Sequence, residues 1–548
     1  MYIVALCRRR FVGVRLYLLV LAAVAVSVLT STRVHAQGPE HEHDAHATAE
    51  SEHAGHETVD MARDGSGTSW LPDESPMYAR HSTKGSWTLM FHENAFLQYL
   101  HDSGERGDDQ LGSINWVMGM AQRDVGRGRL GLRGMFSAEP WSIRGCGYPD
   151  LLATGEECRG EKIHDRQHPH DLFMELAADY NAPIAGGLRW QVYGGPAGEP
   201  ALGPVAYPHR VSAMANPLAP ITHHWLDSTH ITFGVVTGGV YSKKWKAEAS
   251  LFNGREPDED RTNFDFSALD SVSGRVWFLP TPQVALQVSA GRLKDAEAGD
   301  GGAERINVNR VTASATYHRA FRDNSIFAAT VAWGRNAEPD HASNALLVET
   351  NFTVDQRDTW FGRFEVAGKS AYDLDVAERP GDFTVAKLQG GYTRYLPDWD
   401  GFQPGLGAGL SLGIVPDALR SAYGSRANVG FAVYLTLRPS AMMHGGGGTA
   451  TAPVDHSQHV VPQQPAAQST TPPGARRETP SQTERPAAEP RLPVLEAERV
   501  VDPACASTID LVNGPKASYQ GKVYYFCSAA ERDAFVKDPA AYLKARGK

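Results

Sequence analysis

Residues 427–439 read ANVGFAVYLTLRP, and this stretch decides the fold. Val429, Phe431, Val433, Leu435 and Leu437 alternate with Asn428, Gly430, Ala432, Tyr434 and Thr436. A period of two places the first set on one face of a strand and the second on the other. The same alternation runs through SWTLMFHENAFLQYL (86–100), VALQVSAGRL (284–293), NSIFAATVAWG (324–334) and TWFGRFEVAG (359–368). The less apolar face carries Gly, Ser, Thr, Gln and charged side chains, which suits a wet lumen rather than a packed core.

About sixteen such segments occupy residues 85–438, and their connections alternate in length. The short ones are DVGRG (124–128), NAPIAGG (181–187), YSKKW (241–245), PTPQ (280–283), FRDN (321–324), DQRD (355–358) and LPDWDGF (396–402). The long ones include 144–168, 196–228, 254–270, 294–306 and 370–381. Tight turns on one rim and long loops on the other are expected of an antiparallel transmembrane β-barrel of about sixteen strands. Closure pairs every backbone group, as lipid demands, and an even strand count returns both mature termini to the periplasm. Trp87, Trp116, Trp141, Trp190, Trp225, Trp277, Trp333, Trp360 and Trp399 fall near strand ends, where aromatic girdles are expected. A soluble β-sandwich is the rival, and it leaves the regular turn lengths unexplained.

The chain has 548 residues and a formal charge of -10, with no dense basic stripe, so a nucleic-acid partner is not expected. Residues 1–36 read as an export signal: Arg8, Arg9, Arg10 and Arg15, then the apolar run from Leu16 to Leu29, then Val34-His35-Ala36 for cleavage. Arg8-Arg9-x-Phe11-Val12 also fits a twin-arginine signal. Residues 37–69 form a His-rich leader expected to be disordered, and 441–497, dense in Gly, Pro, Gln and Thr, read as a disordered linker. In an oxidising compartment Cys146 and Cys158, together in GCGYPDLLATGEECRG, read first as a loop disulfide.

Residues 500–548 hold Asp502-Pro503-x-Cys505, then Tyr519-x-Gly521-x-x-Tyr524-Tyr525-Phe526-Cys527-Ser528, then Phe535-x-x-Asp538-Pro539-x-x-Tyr542. This pattern resembles the YHS domain, a small α+β module associated with heavy-metal handling. The resemblance implies Cys505 and Cys527 as soft-metal ligands. The family's further soft ligands are replaced here by Ala506-Ser507 and by Ala530-Glu531, so Glu531 becomes a carboxylate candidate that would favour zinc over Cu(I). A Cys505–Cys527 disulfide stapling the small domain is the alternative. Within the body, HPHDLFMELAADY, YGGPAGEPALGPVAYPHR, NPLAPITHHWLDSTHITFG and FNGREPDEDR resemble a group of poorly characterised outer-membrane proteins of Gram-negative bacteria, which implies location more than mechanism.

His41, His43, His46, His53 and His56 stand among acids in the leader, where a flexible tract can wrap a borderline ion. His444, His456 and His459 flank the linker. In the body, His164, His168 and His170 end one long loop, and His209, His223, His224 and His230 surround the next. A loop of that length can fold into the lumen, and its histidines would then line a cation path or make ordinary hydrogen bonds. The acidic loop with Glu256, Asp258, Glu259 and Asp260 would attract cations to a pore mouth, or bridge to lipopolysaccharide through divalent ions. No nucleophile elbow, zincin, phosphate-loop or dinucleotide motif stands out, so no enzyme is expected.

The expectation is therefore an outer-membrane barrel with a periplasmic YHS-like module, handling copper or zinc or conferring tolerance to them. Its partners would be lipid, lipopolysaccharide, metal ions and periplasmic metal-handling proteins. A linker of roughly fifty-five residues would span about 40 Å. A His-rich leader before a barrel is loosely similar in plan to outer-membrane copper-resistance proteins. The alternative is a general porin whose terminal module anchors or interacts.

Overall fold

The computed structural model describes residues 63–159, 161–298, 305–321, 324–339, 341–376, 381–442, 516–519, 522–525, 529–537 and 539. It separates into two units, 1–451 and 452–548.

The first unit is a closed antiparallel barrel of sixteen strands. They are β1 (Trp87–Asp102), β2 (Asp109–Val125), β3 (Gly128–Phe136), β4 (Phe173–Pro183), β5 (Arg189–Ala197), β6 (Val235–Tyr241), β7 (Trp245–Phe252) and β8 (Ser271–Thr281), followed by β9 (Val284–Ala298), β10 (Arg305–Ala320), β11 (Ile326–Ala337), β12 (Ala342–Val354), β13 (Asp358–Ser370), β14 (Asp382–Tyr395), β15 (Phe402–Ile414) and β16 (Ala427–Pro439). Each pairs with the next, and β16 closes on β1 from Gly430↔Asp102 to Leu437↔Ala95. A short strand, Arg80–Lys84, pairs with the start of β1 below that seam.

All seven expected short connections lie on one rim, with turns of two to six residues. The other rim carries 137–172, 198–234, 253–270, 371–381 and 415–426, but also the brief 103–108 and 338–341. The expected loop 294–306 is mostly strand: β9 runs to Ala298 across a register shift between Leu293 and Glu297, with Asp295 at φ 50°.

The alternation sorts as the sequence requires. Val429, Phe431, Val433 and Leu435 are exposed on the outside, as are Leu406 and Leu410 of β15, while Asn428, Ala432, Tyr434 and Thr436 are buried inside. An apolar outer wall on a closed barrel is a lipid-facing surface. No described helix is long and apolar enough to cross a membrane. The tryptophans only partly form girdles. Trp190, Trp333, Trp360 and Trp399 are exposed, but Trp116 and Trp277 are buried because their strand parity points them inward, and Trp225 sits on a loop inside.

The lumen is not the wet space that its polar lining suggests. Sixteen strands enclose room for an aqueous channel, and three segments of the chain fill it. Residues 63–76 enter at the short-turn rim: Arg63 Nη1 donates to Lys243 O (2.7 Å) and Glu74 N to Pro282 O (3.0 Å). The leader thus does not run loose to residue 69, because Arg63, Ser66, Thr68 and Ser69 are buried against the wall. The loops 137–172 and 198–234 enter from the other rim. Plug and loop meet where Ala206 N donates to Ser66 Oγ (2.8 Å).

Ion pairs staple these segments to the wall. Arg210 bridges Asp227 (2.7 Å) and Glu349 of β12 (2.7 Å), and Arg363 of β13 shares Glu349 (2.8 Å). Lys387 of β14 pairs with Asp150 (2.5 Å), and Arg275 of β8 with Glu199 (3.2 Å) and Glu248 (2.9 Å). Unpaired charges in so dry a space would be prohibitive, so each loop carries the charge its landing site lacks.

In the second unit, Lys516–Tyr519 and Lys522–Tyr525 form a hairpin, followed by the helix Ala529–Lys537, with Phe535 buried. This is a small α+β arrangement.

Candidate metal site in the lumen

The loop 137–172 is itself braced. Cys146 and Cys158 are joined by a disulfide (Cα–Cα 5.9 Å) beside the hairpin Tyr148–Cys158/Glu161–Gln167. The loop ends at His168, His170 and Asp171, which lie against the second loop. That loop turns at Tyr207–His209, forms one helical turn at His223–Leu226, and returns through His230 to β6.

Five imidazoles from the two loops form a continuous line. Ring centroids are 5.9 Å apart for His168–His224, 5.4 Å for His223–His224, 5.2 Å for His223–His230 and 5.4 Å for His170–His230. Three of the rings are oriented through Nδ1, and His170 is held through both nitrogens. His223 Nδ1 bonds Asp227 Oδ1 (2.8 Å), His230 Nδ1 bonds Asp227 O (2.8 Å) and His224 Nδ1 bonds Glu256 Oε1 (3.1 Å). His170 lies between Glu139 Oε1 (2.8 Å) and Tyr207 Oη (2.9 Å). The Nε2 atoms of His224 and His230 are buried without a hydrogen-bond partner among the described residues.

Burial pushes His168 and His230 well below the usual imidazole range and lowers His223 and His224 as well. Burial opposes protonation of His170 too, but Glu139 outweighs it and raises its pKa. Four of the five are therefore neutral near pH 7, the state that ligates metals.

At the long-loop rim one nitrogen and two carboxylates converge. The ligand atoms of His224, Glu256 and Glu297 all lie within 4.8 Å of one another. His224 comes from the helical turn, Glu256 from the loop 253–270, and Glu297 from the end of β9 past its register shift. Glu256 N donates to Ala296 O (3.0 Å), which ties the two acids together. Gly155, at φ 124°, lets the hairpin pass the His224 ring, where a β-carbon would collide with it. An imidazole and two carboxylates suit a borderline divalent ion such as Zn(II).

The sequence pointed to His168, His170, His209, His223, His224 and His230 and to Glu256, and the structure gathers them in the lumen or at its rim. His164 stands apart, between Arg106, Asp165 and Asp375. Asp258, Glu259 and Asp260 remain exposed. Glu297 was missed: it lies in an extended segment that read as loop, with no ligand-like spacing. His41, His43, His46, His53, His56, Cys505 and Cys527 lie outside the described residues, and Glu531 is placed only as part of the helix Ala529–Lys537.

Residues 500–546 match the model of the YHS domain. Several solved outer-membrane barrels are similar to the chain. An anion-selective porin from Comamonas acidovorans is 12% identical, with 64% of this chain and 99% of that one covered and a TM-score of 0.40. OmpF of Salmonella typhi, solved in complex with daunomycin, is 12% identical over 66% of this chain and 100% of that one, with a TM-score of 0.40. OmpT of Vibrio cholerae is 9% identical over 66% and 100%, with a TM-score of 0.36. No curated protein matches the chain.

Proposed function

We propose that this chain is an outer-membrane metal-handling protein: a barrel closed by its own segments that takes borderline cations at the long-loop rim and holds them on a line of lumen histidines. The long loops face outward, and the N-terminal plug, the His-rich leader and the YHS domain lie on the periplasmic side. Zinc and copper are the cargo that the donor set and the YHS domain favour. The observation that carries the reading is the convergence of Glu256 and Glu297 on His224, a member of the buried histidine line.

The inner wall supports this over a general porin. Thr237, Ser271, Arg275, Arg310, Thr330, Glu349, Lys369 and Lys387 come from seven different strands and are all buried. An open channel would leave its lining wet. Two cavities at the short-turn half measure only about 60 Å³ each.

The test is calorimetric titration of the full chain in detergent with Zn(II) and Cu(II), in a Cys505→Ser/Cys527→Ser background. Loss of one bound ion per chain in His224→Ala/Glu297→Gln supports the reading. Unchanged stoichiometry and affinity in that variant overturns it. A conductance of porin size in planar bilayers would overturn the closed lumen.

A further inference from the structure

One side of the lumen holds a second donor set of a different kind. All seven methionines with described side chains lie on or against the barrel wall from β1 to β4. Met77, Met90, Met118, Met120, Met135 and Met174 belong to one buried cluster together with Trp116, Ile231 and Phe233, and Met77, Met90, Met118, Met120 and Met214 line a cavity beside it. Across the ladder, Met90 faces Met120, and His92, Met118 and Met135 stand side by side on β1, β2 and β3. His209 Nε2 lies 3.4 Å from Met135 Sδ, and His81 Nε2 lies 2.8 Å from Met77 Sδ. The cavity measures about 60 Å³ and is also lined by His92, His209, Asp64 and Glu93. Elsewhere the described inner wall uses Arg, Lys, Glu, Asn, Gln, Ser and Thr among its polar residues, and the apolar fillers of the lumen are Leu, Ile, Val, Ala and aromatic residues. Among the described residues, sulfur is thus concentrated in and beside one pocket, with His92 and His209 in its lining.

We propose that this pocket binds a soft monovalent cation, Cu(I), through methionine thioethers completed by His92 or His209. Thioether and neutral imidazole select Cu(I) over divalent ions, and a single charge costs less to bury than a double one. In naming a metal as cargo the inference rests on the metal-handling reading, but its ligands are separate from the rim site. The His224–His223–His230–His170–Tyr207 contacts run from the rim site to the turn Tyr207–His209 that carries His209.

The experiment uses the full chain in detergent, with Cys505→Ser/Cys527→Ser to remove the cysteines of the terminal domain. Cu(I) binding is measured by competition with bicinchoninate under anaerobic reducing conditions, and Zn(II) binding in parallel. Met118→Leu/Met135→Leu conserves volume and packing, and heat-modifiable gel migration verifies the folded barrel. The expected result is at least tenfold weaker Cu(I) binding with Zn(II) binding unchanged, and a sulfur shell in the copper X-ray absorption of the parent that is lost in the variant. Cu(I) binding equal in parent and variant, or a copper shell without sulfur, overturns the proposal and leaves the rim reading standing. Cu(I) bound through sulfur with no Zn(II) bound sustains the pocket and removes the rim site.

Discussion

Replacing Lys387 by Met separates a filled lumen from a wet one. Lys387 Nζ reaches Asp150 Oδ1 at 2.5 Å and Leu151 O at 2.9 Å, with both charged side chains fully buried. Met removes the charge while keeping the length. Asp150 must then stay ionised without a partner or take up a proton. Protonation caps the penalty: at pH 7 a carboxyl with an ordinary pKa near 3.9 costs about 4 kcal/mol to neutralise, and at pH 5 about 1.5 kcal/mol. The lost bond to Leu151 adds about 1 kcal/mol. The expected destabilisation is therefore about 3–5 kcal/mol at pH 7, in the range for breaking a buried pair, falling to roughly 2–3 kcal/mol at pH 5. Lys387→Met/Asp150→Asn removes the stranded charge and should return to within about 2 kcal/mol of wild type. Urea unfolding in lipid vesicles, followed by tryptophan fluorescence, measures all three. A cost below about 1 kcal/mol with no pH dependence is what a solvated surface pair gives. That result would refute the dry, loop-filled lumen.

Glu199 gives a second pH test. Burial outweighs its Arg275 partner and raises its pKa to about 7, so the folded state binds a proton that the unfolded state releases near pH 4.5. This stabilisation is complete below the unfolded pKa and is lost as pH rises toward 7. Glu199→Gln should match wild type at pH 4 and exceed it by roughly 3 kcal/mol at pH 8, and equal stabilities at pH 8 in urea titrations would contradict the shift. Gly155→Val should displace the His224 ring and weaken Zn(II) binding at least tenfold while the barrel still folds; unchanged calorimetry would mean that His224 is not a ligand. Deleting residues 63–76 should unplug the short-turn mouth and raise single-channel conductance severalfold, and no change in planar bilayers would show that the segment does not close the lumen.

The barrel was legible because lipid enforces a strict rule. Val429, Phe431, Val433 and Leu435 must alternate with their neighbours, and turns such as DVGRG and YSKKW must be brief where both strands end at one rim. What fills the barrel was not legible. Arg210 and Glu349 are 139 residues apart, and neither announces the other. A lumen-facing Arg reads the same whether water or a loop carboxylate meets it. The loop histidines were visible as a group, but Glu297 joined them only through a register shift that turns a strand end toward the rim. Trp116 and Trp277 were misplaced because proximity to a strand end was weighed without parity: Trp277 precedes the outward Phe278, so it points inward. Parity would also have exposed the methionine pocket, since Met118 and Met120 share the inner face of β2.

The most direct test is anomalous X-ray diffraction from crystals of the full chain grown with Zn(II), collected on both sides of the zinc edge. The account predicts a zinc peak bounded by His224, Glu256 and Glu297 at the long-loop rim. Well-ordered loops in an otherwise similar barrel, with no peak there, would contradict it.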